Sequence, residues 1–204
     1  MKHIDLLLKH YPELSCCEGA IHAAVLAIME MHRNDGKLLL CGNGGSAADC
    51  SHIAGELLKG FLLKRPIPQT DRERLSALPT SESLQRGICA ISLPDQGAVL
   101  SAYANDELPD MVYAQLVYAM HHEGDVFFGI STSGNAQNVA YAAQCAKGLS
   151  LQTIALTGQN GGALSEICDI NIKVPATETY RVQEYHLPVY HAICAQVEET
   201  LFGC

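Results

Sequence analysis

The chain has 204 residues, 48% hydrophobic and 17% charged, enough to bury one α/β core and too apolar for disorder. Thirteen Lys and Arg stand against 22 Asp and Glu, a formal charge of −9. So acidic a surface has no field for a nucleic-acid backbone or an anionic membrane, and no Lys/Arg block creates a local one.

Nine cysteines, an odd number, lie scattered among apolar runs without a C-x-x-C pair. That pattern predicts reduced core thiols in a cytoplasmic protein rather than a disulfide frame or a thiolate zinc site. The start, Met-Lys-His-Ile-Asp, lacks a signal-peptide pattern. No apolar run is expected to reach the roughly 18–20 residues that span a bilayer.

In chain order, a long helix is predicted over Glu18–Asn34, with Ile21, Val25, Ile28 and Met29 on one stripe and a stop at Asp35-Gly36. A strand at Lys37–Cys41 runs into Gly42-Asn43-Gly44-Gly45-Ser46, which opens a helix. Residues Leu62–Arg86 contain Pro66, Pro68 and Pro79 and are long for a loop, predicting an insertion or lid with partial helix over Asp71–Leu78. Strands follow at Gly87–Leu93, Val126–Ile130, Leu151–Leu156 and Ile170–Val174, with helices at Asp110–Met120 and Ala136–Ala146. The last element, Tyr180–Phe202, carries Val182, Val189, Ile193 and Val197, with Pro188 predicted to kink it. Near-continuous apolar strands alternating with helices predict a three-layer, doubly wound α/β domain over residues 1–204. Its sheet has about five parallel strands, flanked by N- and C-terminal helices.

Ligands of such sheets bind outside the carboxyl ends of the strands. Gly44, Gly45 and Ser46 after one strand, and Ser131, Thr132, Ser133 and Asn135 after another, suit a phosphate. Their glycines let backbone approach an anion, and the following helices offer free N–H groups. The serines also have the pattern of plain helix caps, and Ser46-Ala-Ala-Asp49 resembles a capping box. Neither a G-x-G-x-x-G fingerprint nor a Gly-Lys-Ser/Thr loop is present, so a small phosphorylated metabolite fits better than a nucleotide. His52 and Glu56 share a helix face at i, i+4. The final helix adds Gln183, Glu184, His186 and His191; spacing alone does not choose between Gln183 and Glu184 as the partner of His191.

Together, Gly42–Ser46, His52-x3-Glu56, Gly129-Ile-Ser-Thr-Ser-Gly-Asn135, Leu156-Thr-Gly-x-x-Gly-Gly162 and Arg181-Val-Gln-Glu-x-His186…His191 resemble the sugar isomerase (SIS) superfamily. The closer likeness is to its phosphoheptose isomerase branch, from about Ala20 to Phe202. The resemblance implies a homotetramer with shared active sites that interconverts sedoheptulose 7-phosphate and D-glycero-D-manno-heptose 7-phosphate. It implies Glu56 as base and His191 as its acid/base counterpart. Zinc would lie among His52, Glu56, Gln183 and His191. Ser46, Ser131, Thr132 and Ser133 would take the phosphate, and Asn43, Asn105 and Asp106 match sugar-contacting positions. The chain departs from the family pattern at Ala136 (a serine), Tyr180 (an aspartate) and Lys59-Gly60 (Gly-Arg), and in the length of the insertion. An isomerase for another phosphosugar, or a non-catalytic interaction protein of the type that associates with the replication initiator, are the rival expectations.

Overall fold

The apolar strand runs form one all-parallel sheet. In the computed structural model, which describes residues 1–203, the strands are β1 (Leu38–Gly42), β2 (Ala90–Ser92), β3 (Val126–Ser131), β4 (Gln152–Thr157) and β5 (Ile170–Lys173). Their spatial order is β2-β1-β3-β4-β5, with Leu38 level with Ala90 and Val126. The helices are α1 (Lys2–His10), α2 (Glu18–Arg33), α3 (Gly45–Leu58), α4 (Gln69–Arg74), α5 (Gly97–Asp106), α6 (Val112–Met120), α7 (Gln137–Gly148), α8 (Leu164–Ile167) and α9 (Thr179–Phe202).

Side chains alternate between the two faces because successive strand residues point oppositely. Leu38, Leu40, Phe128, Ile130, Ile154 and Leu156 pack under α1, α2, α3 and α9. Leu39, Cys41, Phe127 and Ala155 pack under α5, α6, α7 and α8. All are essentially buried, which is why the strands read as unbroken apolar runs. Three helices were not expected from sequence: α1, α5 and the single turn α8. Short α1 buries only Ile4 and Leu7, whereas α5 buries no residue fully. The last helix, α9, stays helical through Pro188 over 24 residues.

The expectation that no apolar stretch reaches membrane-spanning length needs correction. Pro12–Arg33 is long and apolar enough by length and composition, but half of it is buried. Ile21, Ala24, Val25 and Ile28 of this segment lie in the core, so its hydrophobicity is that of a central helix.

The insertion is tethered at its root. Pro66 and Gln85 form an antiparallel bridge, and Arg65 is fully buried. Beyond that root, α4 ends at Arg74, short of the expected Leu78, and buries no residue.

His186 on α9 is fully buried, and neither ring nitrogen has a hydrogen-bond partner. Burial pushes its pKa down to about 4 from 6.5, with the Thr157 main chain pulling part of the way back. The folded state therefore resists protonation that the unfolded chain accepts. Stability should be level above about pH 6.5, fall by roughly 3 kcal/mol as pH drops towards 4, and level off below that. Urea midpoints at pH 7 and 4.5 check this: His186→Phe should flatten that part of the profile, and an unchanged slope excludes His186 as its source.

Candidate active site

The strand order places the site. β1 and β3 are neighbours, yet β1 leads to α3 on one face and β3 to α7 on the other. A crevice opens where the chain diverges in this way, at the carboxyl edge of the sheet. Here it is a hollow of about 360 Å³ lined by Asn43, Gly44, Gly45, Ser46, Ser131, Thr132, Ser133, Ala136, Thr179 and Gln183. The starts of α3 and α9 both border it, so helix-terminal N–H groups and hydroxyls converge on one small volume, an anion site in a globally acidic protein.

The capping alternatives do not form. Gly44, not Ser46, caps α3, and it does so without a side-chain bond. Gly134 is required by a close approach: its φ is +70°, and a Cβ would lie 1.9 Å from the Gly161 carbonyl oxygen. Asn135 braces the loop from within. Its Oδ1 accepts from Ala163 N–H at 2.9 Å, and its Nδ2 donates to the Ser133 carbonyl. Asn43 exchanges two amide hydrogen bonds, 2.8 and 3.0 Å, with Asn138 of α7, which ties the two loops together. Nothing in the sequence pattern singled out Asn138 or Thr179.

A second cluster lies further along α3, where α9 packs beside it. His52 Nε2 is 3.2 Å from Glu56 Oε1 and 3.4 Å from His191 Nε2. Lys59 Nζ donates to the other Glu56 oxygen at 3.2 Å. Burial lowers the His191 pKa, as does the neighbouring His52, while Glu56 opposes both. The remaining His52 nitrogen, Nδ1, is 2.9 Å from the Tyr190 hydroxyl, which donates to Asp49 Oδ1 at 3.2 Å. Burial raises the Asp49 carboxyl, with Tyr190 and His52 acting against it. Tyr190 and Asp49 escape detection in the sequence because each sits in an apolar helical pattern with no ligand-like spacing.

Gln183, expected both among the substrate-binding residues and with these groups, lies at the anion hollow and apart from the histidines. Its amide lies against Gly45, seven residues before His52 on α3, roughly 10 Å along the helix axis. The His52 hydrogen bonds go to Tyr190, Glu56 and His191, so one chain keeps Gln183 with the anion hollow. Glu184 pairs with Arg181 on the exposed side of α9. Asn105 donates to its neighbour Asp106. Asp106 borders a different hollow, with Val99, Tyr103 and Gln115, that shares no residue with the anion site.

Two imidazole nitrogens and a carboxylate oxygen are donors that suit zinc. Tetrahedral bonds of about 2.0–2.2 Å place ligand atoms roughly 3.3–3.6 Å apart. The His52–His191 and His52–Glu56 spacings, 3.4 and 3.2 Å, are close to that. Among the described residues no group of three or more His, Cys, Asp or Glu side chains already encircles an ion-sized space. The trio is thus two matched pairs sharing His52 rather than a closed ring.

The fold and the hollow define an α/β protein with an anion-suited site at the carboxyl edge of its sheet, and the SIS domain family model matches residues 15–158. Phosphoheptose isomerase 2 of Campylobacter jejuni is 42% identical over 183 residues, 90% of this chain and 81% of that protein. The phosphoheptose isomerase of Synechocystis is 38% identical over 202 residues, covering 99% and 93%. The solved phosphoheptose isomerase of Neisseria gonorrhoeae superposes with a TM-score of 0.77 at 31% identity, covering 97% and 96%. The chain belongs to the phosphoheptose isomerase family of SIS-domain proteins.

Proposed function

We propose that the chain interconverts sedoheptulose 7-phosphate and D-glycero-D-manno-heptose 7-phosphate through an enediolate. The observation that carries this reading is the meeting of Glu56 and His191, from α3 and α9, around His52 beside a hollow built for an anion.

The loop hydroxyls and helix N-termini hold the phosphate, which fixes the reacting carbons relative to Glu56. Such proximity is worth up to roughly 7–11 kcal/mol of barrier. Glu56 takes the proton from the carbon next to the carbonyl and returns it to the neighbouring carbon. His191, kept on the neutral side by burial, moves a proton between the two oxygens. Zinc held by His52, Glu56 and His191 would polarise the carbonyl and stabilise enediolate charge.

The test is incubation with sedoheptulose 7-phosphate in heavy water. Deuterium entry into substrate with net conversion is expected. Exchange without conversion points to another phosphosugar, and no exchange overturns the reading in favour of a binding role.

Gly45→Ala probes the anion end. A Cβ there lies 2.0 Å from Gln183 Nε2, the free end of a flexible side chain, so the amide must turn away while the fold adjusts. Losing one such hydrogen bond should raise KM about tenfold with little change in Tm. Steady-state rates and a melting curve check it; an unchanged KM would remove the Gln183 amide from substrate binding.

We also infer a cytoplasmic homotetramer with shared active sites. In support, an apolar hollow lined by Leu6, Leu7, Phe61, Leu62 and Pro188 adjoins His191, and Leu6 and Leu62 are 49% and 58% exposed. Asp106 lies apart from the anion hollow within one chain. All eight cysteines among the described residues are free. Light scattering should give four times 22.0 kDa.

A further inference from the structure

With Asp49 ionised, the hydrogen-bond chain behind His52 has one proton arrangement that gives this carboxylate a hydrogen. Tyr190 is 1% exposed, and its hydroxyl has a single hydrogen to share between His52 Nδ1, at 2.9 Å, and Asp49 Oδ1, at 3.2 Å. Asp49 Oδ2 is buried without a partner, so the Tyr190 bond is the one hydrogen bond its carboxylate receives among the described side chains. Were Tyr190 to donate to His52 instead, both oxygens of a half-buried carboxylate would be left without a hydrogen, a costly loss. Tyr190 therefore donates to Asp49 and accepts from His52, whose Nδ1 must carry the proton. A neutral ring protonated at Nδ1 is bare at Nε2.

We propose that Tyr190 and Asp49 are positioning residues that hold His52 as its Nδ1–H tautomer. The Nε2 lone pair then faces Glu56 Oε1 at 3.2 Å and His191 Nε2 at 3.4 Å. His52 Nε2 and Glu56 Oε1 are then two acceptors facing one another, and they repel unless a hydrogen or a cation comes between them. The Tyr190–Asp49 chain thus sets the reaction centre to receive a cation or a mobile proton, as outer hydrogen bonds do for ligating histidines generally. The inference rests on reading the His52 cluster as the reaction centre, but it concerns the resting protein without substrate.

The test is nitrogen NMR of the metal-free, full-length protein with labelled histidines, above the pH range in which they titrate. The His52 signals are assigned by their loss in His52→Gln. The proton is expected on Nδ1, with Nε2 showing the shift of a bare ring nitrogen. Tyr190→Phe should move His52 towards the Nε2–H form and weaken zinc binding, read by chelator competition, by about 10–100-fold. Asp49→Asn, nearly isosteric, should shift both readouts in the same direction by less. A wild-type His52 protonated at Nε2 overturns the proposal, and this spectrum decides even if the Tyr190 variant does not fold. So does a folded Tyr190→Phe protein with unchanged tautomer and zinc affinity. Lack of turnover with the Nδ1–H tautomer intact would count against the isomerase reading alone.

Discussion

Glu56→Gln is expected to lower kcat by about three to four powers of ten, within the usual contribution of a positioned general base. Glutamine keeps the length of the side chain and an acceptor towards Lys59, but it holds no proton-accepting charge. The substitution weakens the pairing of Glu56 with Lys59, near the surface, where an ion pair contributes about 0–1 kcal/mol. Tm should hence stay within a few degrees, and the variant should still bind the phosphate through hydroxyls and loops that Glu56 does not touch. The heavy-water assay separates the two effects. Wild-type exchange in Glu56→Gln would remove the carboxylate from the reaction; lost exchange with intact phosphate binding confirms its role. A large drop in Tm would instead show that Glu56 braces α3.

How much of this was legible beforehand follows the range of each interaction. The strands declared themselves because every residue of β1 and β3 is buried, and the Gly42–Ser46 and Ser131–Asn135 loops because they interrupt apolar runs at strand ends. His52 and Glu56 were readable as one helix face. The pairing of His52 with His191 came only by resemblance, since it depends on how α3 and α9 lie side by side. That packing also explains the main disagreement. The ideal wheel left Gln183 and Glu184 undecided, and packing turned Gln183 to Gly45 and Glu184 to Arg181. Asn43 and Asn135 were read as ligand-facing because the motif positions them at the loops. Their further partners, Asn138 and Ala163, are distant in sequence and could not be read from it. The root of the insertion was illegible for the same reason: Arg65 looks like one more charge in a mixed segment until Glu198 is brought against it.

That pair carries the second large effect. Arg65 and Glu198 are both completely buried and joined at 2.7 Å. Burial pushes the Glu198 carboxyl up, but the Phe61 and Leu62 amides and Arg65 outweigh it and hold it below the usual range. The carboxylate accepts from three successive amides, Phe61, Leu62 and Leu63, at 2.8, 2.6 and 3.1 Å. Arg65 in turn donates to the carbonyls of Leu57 and Glu56 in the last turn of α3, the first of which also accepts from Ile88 N–H. Glu198→Ala would strand a buried guanidinium and orphan three amides, so a loss of about 3–5 kcal/mol is expected. For a domain of this size that is a fall in Tm on the order of 10 °C. Arg65→Met should cost less, because the three amides still satisfy Glu198. Combining Arg65→Met with Glu198→Ala should cost less than the two single changes added, since no lone charge remains, yet should not restore wild-type stability. Thermal melts of the four proteins test this. Additive losses would mean the ion pair is incidental and the amide clasp alone holds the insertion root. Because Arg65 also grips the main chain of Glu56, surviving variants should lose kcat beyond their loss of folded protein. That link makes the root of the insertion, rather than its exposed helix, the part that bears on the chemistry.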